Sequence, residues 1–283
     1  MSSTAPSPQP SPPASSVTSP SASAAPARPS SDWASWGQWL ALITMTLDHV
    51  ARYVATGSWG LGWVDSTVGR IAFPLFAGMV AWHGLFNTRN PVRYARRVMV
   101  IGVVAQLPYQ LMPREALVQF NICFTLGLGL LAGAWLTRLP RRWQQDSAVA
   151  GRLALEAVLV AVAWYLIGPW VEYSHLGLLL VPFFMLAIGP LFRAGPALAS
   201  RLGAVAACLP LLAVAGMMNS SDTAKSFTVV TTLCVLLLAA GACALIPKSP
   251  WLMPRRVWLA WYPGHFAVIA LFLLAVGQAD IGL

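Results

Sequence analysis

Runs of roughly twenty apolar residues recur along this 283-residue chain, and they constrain its fold more than any other feature. A helix needs about 20 apolar residues to cross the hydrocarbon core of a bilayer, where the backbone must satisfy its own hydrogen bonds. Only 10% of the residues are charged, against about 25% in soluble domains, and 57% are hydrophobic. The sequence therefore predicts an all-α fold, a polytopic helical bundle in a lipid bilayer.

The apolar pattern predicts about nine transmembrane helices, joined by connections too short to hold a soluble domain. Before them, residues 1–31 are nearly all Ser, Pro and Ala, a composition that cannot bury enough surface to fold. We therefore predict a disordered tail, 1–31, and a membrane domain, 32–283. The predicted spans are residues 35–55, 67–86, 93–112, 118–137, 153–169, 174–192, 197–217, 226–246 and 257–277.

Basic residues are concentrated in every other predicted loop. The loops after the second, fourth, sixth and eighth spans are basic, whereas the alternate loops carry only Arg114 and Lys225. Because cytoplasmic loops are enriched in Lys and Arg, this pattern places the N-terminal tail in the cytoplasm. It also accounts for the net charge of +9, and no nucleic-acid-binding motif is present. The four cysteines lie in apolar runs without a CxxC pair, so no metal site is predicted.

Ionisable and polar side chains lie inside the predicted spans, where a charged group costs at least about 2.5–3.5 kcal/mol. Asp48 and His49 are adjacent in span one, and His265 lies in span nine. The predicted topology brings most of this polar inventory into the outer half of the membrane, which indicates a functional site. Simpler roles stay open, since Asp48 could merely neutralise Arg52 and the uncharged side chains could hydrogen-bond between helices. The other candidate site residues are Arg70, Gln106, Tyr109 and Asn121.

Several blocks of sequence resemble the TraX family. The family is named for the protein that acetylates the N-terminus of F-type conjugative pilin. It is distantly similar to transmembrane acyltransferases that use an intramembrane histidine and cytoplasmic acetyl-CoA. The blocks, which lie between about Leu40 and Phe272, are LALITMTLDHV, GRIAFPLFAGMVAWHGLFNTRNPVRYARRVMVIGVVAQLPYQL, NICFTLGLGLL, EYSHLGLLLVPFF and WYPGHFAVIALF.

The resemblance implies an integral-membrane N-acetyltransferase of the bacterial inner membrane, with acetyl-CoA as donor and a pilin subunit as acceptor. Such a reaction needs a base for the amine proton and donors for an oxyanion. His49, with Asp48 as partner or organiser, is one candidate base, and His265 is the second. Candidate donors for the oxyanion or for the phosphates of the acyl donor are Arg70, Gln106, Tyr109 and Asn121. Cytoplasmic arginines that could bind the same phosphates include Arg89 and Arg93.

Three other functions fit the same residues. The acceptor could be a sugar or a lipid head group. The chain could be a proton-coupled transporter that uses Asp48, His49 and His265 as a relay, although the paired halves typical of transporters are not evident. It could also be an assembly protein without catalysis. Loss of turnover in a folded His49→Ala variant would separate an enzyme from the last class.

Overall fold

The computed structural model describes residues 29–55, 60–113, 118–145 and 149–278. Twelve α-helices make up most of this part of the chain, and no β-strand occurs in it. Two π-helical turns, Val50–Val54 and His83–Asn87, extend α1 and α3. The helices are α1 Asp32–His49, α2 Gly62–Ser66, α3 Gly69–Trp82, α4 Pro91–Gln110, α5 Ile122–Leu136, α6 Leu139–Gln145, α7 Ala150–Ile167, α8 Ser174–Arg193, α9 Leu198–Ala206, α10 Leu209–Met217, α11 Asp222–Ala239 and α12 Arg255–Ala275.

Every predicted span coincides with a helix or with two consecutive helices. Six helical stretches in the described part are long and apolar enough to cross a bilayer, and Ile122–Leu136 is apolar but shorter. The chain is therefore a multi-pass membrane protein, while the count of nine spans and the cytoplasmic N-terminus stay predictions. Residues 1–28 of the predicted tail lie outside the described residues. The six stretches are Gly62–Asn87, Ala150–Trp170, Ser174–Arg193, Leu198–Met217, Asp222–Ala239 and Arg255–Ala275.

Two predicted spans differ from the structure in detail. The seventh is interrupted between α9 and α10, where Pro210 lacks the N–H that a continuous helix would use. The eighth starts and ends earlier than 226–246. Ser221 caps its first turn by accepting a hydrogen bond from the N–H of Ala224, and Gly241, with a φ of +124°, follows its end.

Side-chain caps fix where the helices near the candidate site begin. The side chain of Asn90 accepts a hydrogen bond from the N–H of Arg93, and Pro91 occupies the first turn of α4, where its missing N–H is not needed. The side chain of Asn121 accepts from the N–H of Cys123 at the start of α5.

Close contacts define how the helices run relative to one another. Gly69 at the start of α3 lies against Asp48 near the end of α1, so these two helices are antiparallel. The indole of Trp36 donates to the carbonyl of Pro247, and further along α1 His49 meets His265, so α1 and α12 run in parallel. One end of the bundle therefore carries the end of α1, the start of α3, the end of α4 and the start of α5.

Two apolar clusters fill the bundle. The larger one joins α1, α3, α5 and α8 and contains the buried rings of Trp33, Trp82 and Phe184. The smaller one lies between α1, α4, α5 and α12 and contains Tyr109 and Phe266. The candidate site residues of α1 and α12 border the smaller cluster.

Candidate active site

His49 and His265 meet at the interface between α1 and α12. Nδ1 of His49 lies 2.8 Å from Nε2 of His265, and the two rings are nearly parallel with an interplanar angle of 8°. Each residue is only 8% exposed. The ring of Phe266 covers both imidazoles at centroid distances of 4.6 and 4.2 Å. The structure thus brings together two histidines that are 216 residues apart in sequence.

A backbone carbonyl assigns the protons of this pair. Nδ1 of His265 lies 2.9 Å from the carbonyl oxygen of Trp261, which can only accept a hydrogen bond. Nδ1 of His265 therefore carries a proton, and Nε2 of the neutral ring accepts from Nδ1 of His49. Neutral His49 is left with an unprotonated Nε2. That nitrogen lies 4.0 Å from Oδ2 of Asp48, so a proton gained there would face a carboxylate.

Asp48 belongs to a cluster of two carboxylates and two guanidinium groups, which we call the charge cluster: Asp48, Arg52, Asp65 and Arg70. Nη2 of Arg52 lies 3.5 Å from Oδ2 of Asp48 and donates a short hydrogen bond to Oδ1 of Asp65. Arg70 donates to the same Oδ1 at 2.9 Å and to the backbone carbonyl of Asp65 at 2.7 Å. The formal charges of the four side chains cancel. Arg70, predicted as an oxyanion or phosphate donor, is thus occupied by Asp65, and its contact with a substrate stays a prediction.

A glycine makes room for the Asp48 carboxylate. A Cβ atom on Gly69 would lie 2.2 Å from Oδ1 of Asp48, closer than atoms can approach. Asp48 can therefore lie against the start of α3 only because residue 69 has no side chain. The Asp48 carboxylate therefore lies between α1 and α3, close to the ring of His49.

Gln106 and Asn121 form hydrogen bonds between α4 and α5. Nδ2 of Asn121 donates to Oε1 of Gln106 at 2.7 Å and to the carbonyl of Gly102 at 2.8 Å. Nε2 of Gln106 donates to the carbonyl of Gln119 at 2.7 Å. These bonds hold the start of α5 against α4. Both residues therefore make the hydrogen bonds between helices that the sequence left open as their simpler role. Their predicted contact with a substrate is not tested by this arrangement.

Tyr109 is the residue of α4 that approaches the histidines. Its ring meets Phe266 edge to face at 5.3 Å, and its hydroxyl donates to Oε1 of Gln119 at 3.2 Å. Phe266 in turn covers His49 and His265. The Phe266 ring therefore lies between Tyr109 and the histidine pair.

The structure places Arg89 and Arg93 far from the histidine pair, at the opposite end of α4 from Gln106. Gln106 lies thirteen positions after Arg93 on α4, which corresponds to about 20 Å along the axis. Both arginines line a cavity of about 430 Å³, which we call the arginine cavity. Its wall also includes Tyr94, Arg97 and Trp258.

A second cavity of about 260 Å³, the inner channel, has Tyr94, Arg97 and Trp258 in its wall as well. It extends between α1, α4, α5 and α12 to Met45 and Tyr262. These two residues lie one helical turn before His49 and His265. The arginine cavity and the inner channel thus share three wall residues, and the inner channel ends one helical turn short of the histidine pair.

A third cavity of about 550 Å³, the lateral cavity, lies where α1 meets α12 on the surface that faces away from the interior of the bundle. Thr46, Trp261, Gly264 and His265 are among its lining residues. A side chain at Gly264 would meet no neighbouring atom within 4 Å. His265 thus lines an apolar opening on the bilayer-facing side of the helices, while its Nε2 contacts His49.

Comparison with known proteins agrees with the blocks noted in the sequence. The family model described as TraX protein matches residues 36–273, which include the histidine pair and the charge cluster. The chain belongs to the TraX family. It is 36% identical over 104 residues to the probable fimbrial assembly protein FimC, serogroup H1, of Dichelobacter nodosus. That alignment covers 33% of this TraX-family chain and 42% of the relative, so the chain matches less than half of the relative's length. No solved structure matches.

Sequence reasoning missed Asp65 and Gln119. Asp65 lies between the first two predicted spans, where Arg52 and Arg70 carry two positive charges against the single carboxylate of Asp48. A second acid between them in sequence was the signal that could have identified it. The backbone carbonyl of Gln119 accepts from Gln106, and its side-chain oxygen accepts from Tyr109. No spacing rule predicts such contacts.

Proposed function

We propose that this TraX-family chain is an integral-membrane N-acetyltransferase. It would transfer the acetyl group of acetyl-CoA to the amino terminus of a pilin subunit at the bacterial inner membrane. The family match and the name of the Dichelobacter relative, a probable fimbrial assembly protein, support a pilus-related role. The acetyl donor and the pilin acceptor come from the resemblance described for the sequence.

The hydrogen-bond chain from the Trp261 carbonyl through His265 to His49 is the observation that carries the proposal. It leaves Nε2 of His49 unprotonated and holds the ring in one orientation. A general base needs both features, since it must present a lone pair to the proton that it removes. In this arrangement His49 is the base and His265 is the residue that positions it.

The chemistry balances around Nε2 of His49. The amine nitrogen attacks the thioester carbonyl carbon, and Nε2 of His49 accepts the proton that the amine loses. The imidazolium then donates through Nδ1 to His265 and faces the Asp48 carboxylate with Nε2. When the carbon–sulfur bond breaks, His49 returns the proton to the departing thiolate. The products are the N-acetylated amine and free coenzyme A.

The donor would enter from the end of the bundle that carries the arginine cavity. Arg89, Arg93 and Arg97 line that cavity and can bind phosphates through charge-assisted hydrogen bonds. The apolar inner channel continues towards Met45 and Tyr262, and it suits the uncharged arm that carries the acetyl group. This path agrees with a cytoplasmic donor and with reacting groups deeper in the membrane.

We further propose nine spans with the N-terminus in the cytoplasm. The positive-inside rule then places the arginine cavity on the cytoplasmic side and the end of α1 towards the outer side. In that orientation the parallel α1 and α12 both run outward. The histidine pair would be reached by the donor from one side and by the acceptor from the bilayer or the outer surface.

A sugar or lipid head group is the second candidate acceptor. The lateral cavity beside His265 supports it, because a lipid-linked acceptor could approach from the bilayer through this apolar opening. The histidine pair and the donor path would keep the same roles. The two candidates differ only in which molecule carries the acetyl group afterwards.

The decisive experiment is intact-mass spectrometry of the pilin subunit processed in cells with and without this protein. We expect the wild type to add the mass of one acetyl group to the pilin and His49→Ala to abolish the addition. His175→Gln is the matched control, because His175 contacts Trp164 and the carbonyl of Tyr165 away from the pair. This control should acetylate like the wild type.

Other outcomes would redirect the proposal. An unmodified pilin with the wild type, together with acetylated lipid or sugar in the same cells, would replace the acceptor and keep the chemistry. Acetylation that persists in His49→Ala would remove His49 as the base. No acetylated product in any fraction would favour a transporter or an assembly protein.

A further inference from the structure

A large apolar groove lies between α7 and the pair α5 and α8, on the side of the bundle away from the histidine pair. It has a volume of about 690 Å³ and is lined almost entirely by aliphatic and aromatic side chains, among them Leu131, Ala161 and Leu179. α7 is the least buried of the six membrane-crossing stretches. The groove separates it from α5 and α8 along the stretch Ala157–Ile167.

Hydrogen bonds hold α7 at both ends of this groove. At one end, Glu156 accepts two hydrogen bonds from the guanidinium of Arg142, at 2.6 and 2.9 Å, and one from the indole of Trp135 at 2.9 Å. At the other end, the indole of Trp164 donates to the carbonyl of His175 at 2.9 Å. These hydrogen bonds at its two ends make the groove a fixed feature of the structure.

The length of the groove corresponds to one bilayer leaflet. Its α7 wall runs from Ala157 to Ile167, a rise of ten residues or about 15 Å along a helix. Half of the roughly 30 Å hydrocarbon core is also about 15 Å. An apolar opening to the bilayer at this depth suits one fatty-acyl chain lying along the helix.

The end with Glu156 carries an excess of positive charge. Between residues 138 and 156 the sequence has four arginines against two acids. Arg152 lies 3.3 Å from Glu156 with its side chain 76% exposed, and Arg138 is exposed as well. The single Glu156 carboxylate thus leaves positive charge at the mouth of the groove. An adjoining cavity of about 540 Å³ shares Leu139 and includes Trp143, a residue type common at the membrane interface.

We propose that this groove binds one anionic phospholipid. One acyl chain occupies the groove between α5, α7 and α8, and the phosphate lies beside Arg138 and Arg152. The arginines distinguish an anionic head group from a zwitterionic one, because each basic side chain near an anionic lipid surface strengthens binding by about fivefold. This inference does not depend on the acyl-transfer reaction, since the groove lies apart from the histidine pair.

Native mass spectrometry of the purified full-length protein tests the proposal. The probes are phosphatidylglycerol and phosphatidylcholine with identical acyl chains. We expect the wild type to retain one phosphatidylglycerol in preference to phosphatidylcholine. Arg138→Gln with Arg152→Gln should lower the affinity for phosphatidylglycerol by roughly twentyfold and remove the preference. Arg201→Gln, at an arginine exposed on α9, is the matched control and should keep it.

A second variant tests the groove itself. Ala161→Trp places a large ring into the space that the acyl chain would fill, so both lipids should be lost. Circular dichroism and size-exclusion profiles of each variant would establish that it is folded. Equal retention of the two lipids by the wild type would overturn the proposal. So would a preference that survives in the double arginine variant, or lipid retention unchanged by Ala161→Trp.

Discussion

Two groups of arginines and carboxylates occupy different parts of this molecule and differ in their balance. In the charge cluster beside His49, two guanidinium groups meet two carboxylates, and Asp48 has a side chain only 9% exposed. At the mouth of the α7 groove, Arg142 and Arg152 share the single carboxylate of Glu156, and Arg152 is largely solvated. Charges buried at membrane depth must cancel, whereas charges at its surface can stay in excess and bind other molecules.

The largest expected effect tests whether His265 positions His49 beside the charge cluster. His265→Ala removes the acceptor for Nδ1 of His49, so the ring can adopt the wrong tautomer or orientation. We expect the acetylation rate to fall by about 10²–10⁴-fold, as when a base is lost or misoriented. The measurement is a time course of product mass with purified variants.

His265→Gln makes this test sharper. The glutamine amide oxygen can accept from Nδ1 of His49, so we expect it to restore part of the rate lost in the alanine variant. Equal inactivity of the two variants would contradict a positioning role and make His265 itself the base. In that case the charge cluster would act on a nitrogen other than Nε2 of His49.

The next prediction compares the charge cluster and the mouth of the α7 groove by their contributions to the free energy of unfolding. Asp48→Asn leaves two arginines against one carboxylate in the charge cluster, and we expect unfolding to become easier by about 2–3 kcal/mol. This is less than the cost for a fully buried pair, because the side chain of Arg52 is 34% exposed and also reaches Asp65. Glu156→Gln at the groove mouth should lower the free energy of unfolding far less, because its ion pairs are solvated and the amide oxygen can still accept one hydrogen bond. The measurement is chemical unfolding of both variants in the same detergent. Equal losses in the free energy of unfolding would show that the two groups do not differ in their effect on stability.

A smaller effect concerns the close approach of α1 and α3. Gly69→Ala places a methyl group against Oδ1 of Asp48, and we expect a loss of about 1–2 kcal/mol from the displaced carboxylate. Gly203→Ala in α9 is the matched control, since its methyl group would meet nothing within 4 Å. It should be neutral or stabilising by up to about 1 kcal/mol. Unfolding curves would show whether the two glycines differ, and similar values would argue against a requirement for glycine at position 69.

The smallest effect extends the comparison to the arginine cavity, whose described wall contains no carboxylate. Arg93→Gln should raise the KM for acetyl-CoA by about fivefold to tenfold and leave kcat unchanged, because it removes a uniform phosphate contact. Arg96→Gln is the control on the same helix, since Arg96 is exposed and does not line the cavity. Steady-state kinetics at low salt would measure both. An equal change in the two variants would indicate a general effect of charge.

Much of the helical architecture could be predicted because the bilayer dictates it. Apolar runs set the positions of the helices, whereas the topology indicated by the alternating basic loops stays a prediction. The predicted end of α11 was less accurate, because a backbone turn at Gly241 ends the helix inside an apolar run. The sequence pattern contains no signal for such a turn beyond the glycine itself.

The candidate site could be predicted only in part. Asp48, His49 and His265 stand out as ionisable residues at membrane depth, and the structure places them together. Their roles depend on tertiary contacts that no local spacing encodes, above all the carbonyl of Trp261 that orients His265. Arg70 shows the opposite problem, since its partner Asp65 lies in a segment that was interpreted as a loop.

The contact between the first and the last described helices also sets an order of events during synthesis. His49 emerges from the ribosome 216 residues before His265, which corresponds to roughly 10–45 s of translation. During that interval Nδ1 of His49 has no His265 to accept its hydrogen bond. A chain that stops before α12 carries the charge cluster but no histidine pair. In the proposed acyl transfer, His49 would be positioned as a base only after α12 docks, so chains that stop before α12 would be inert.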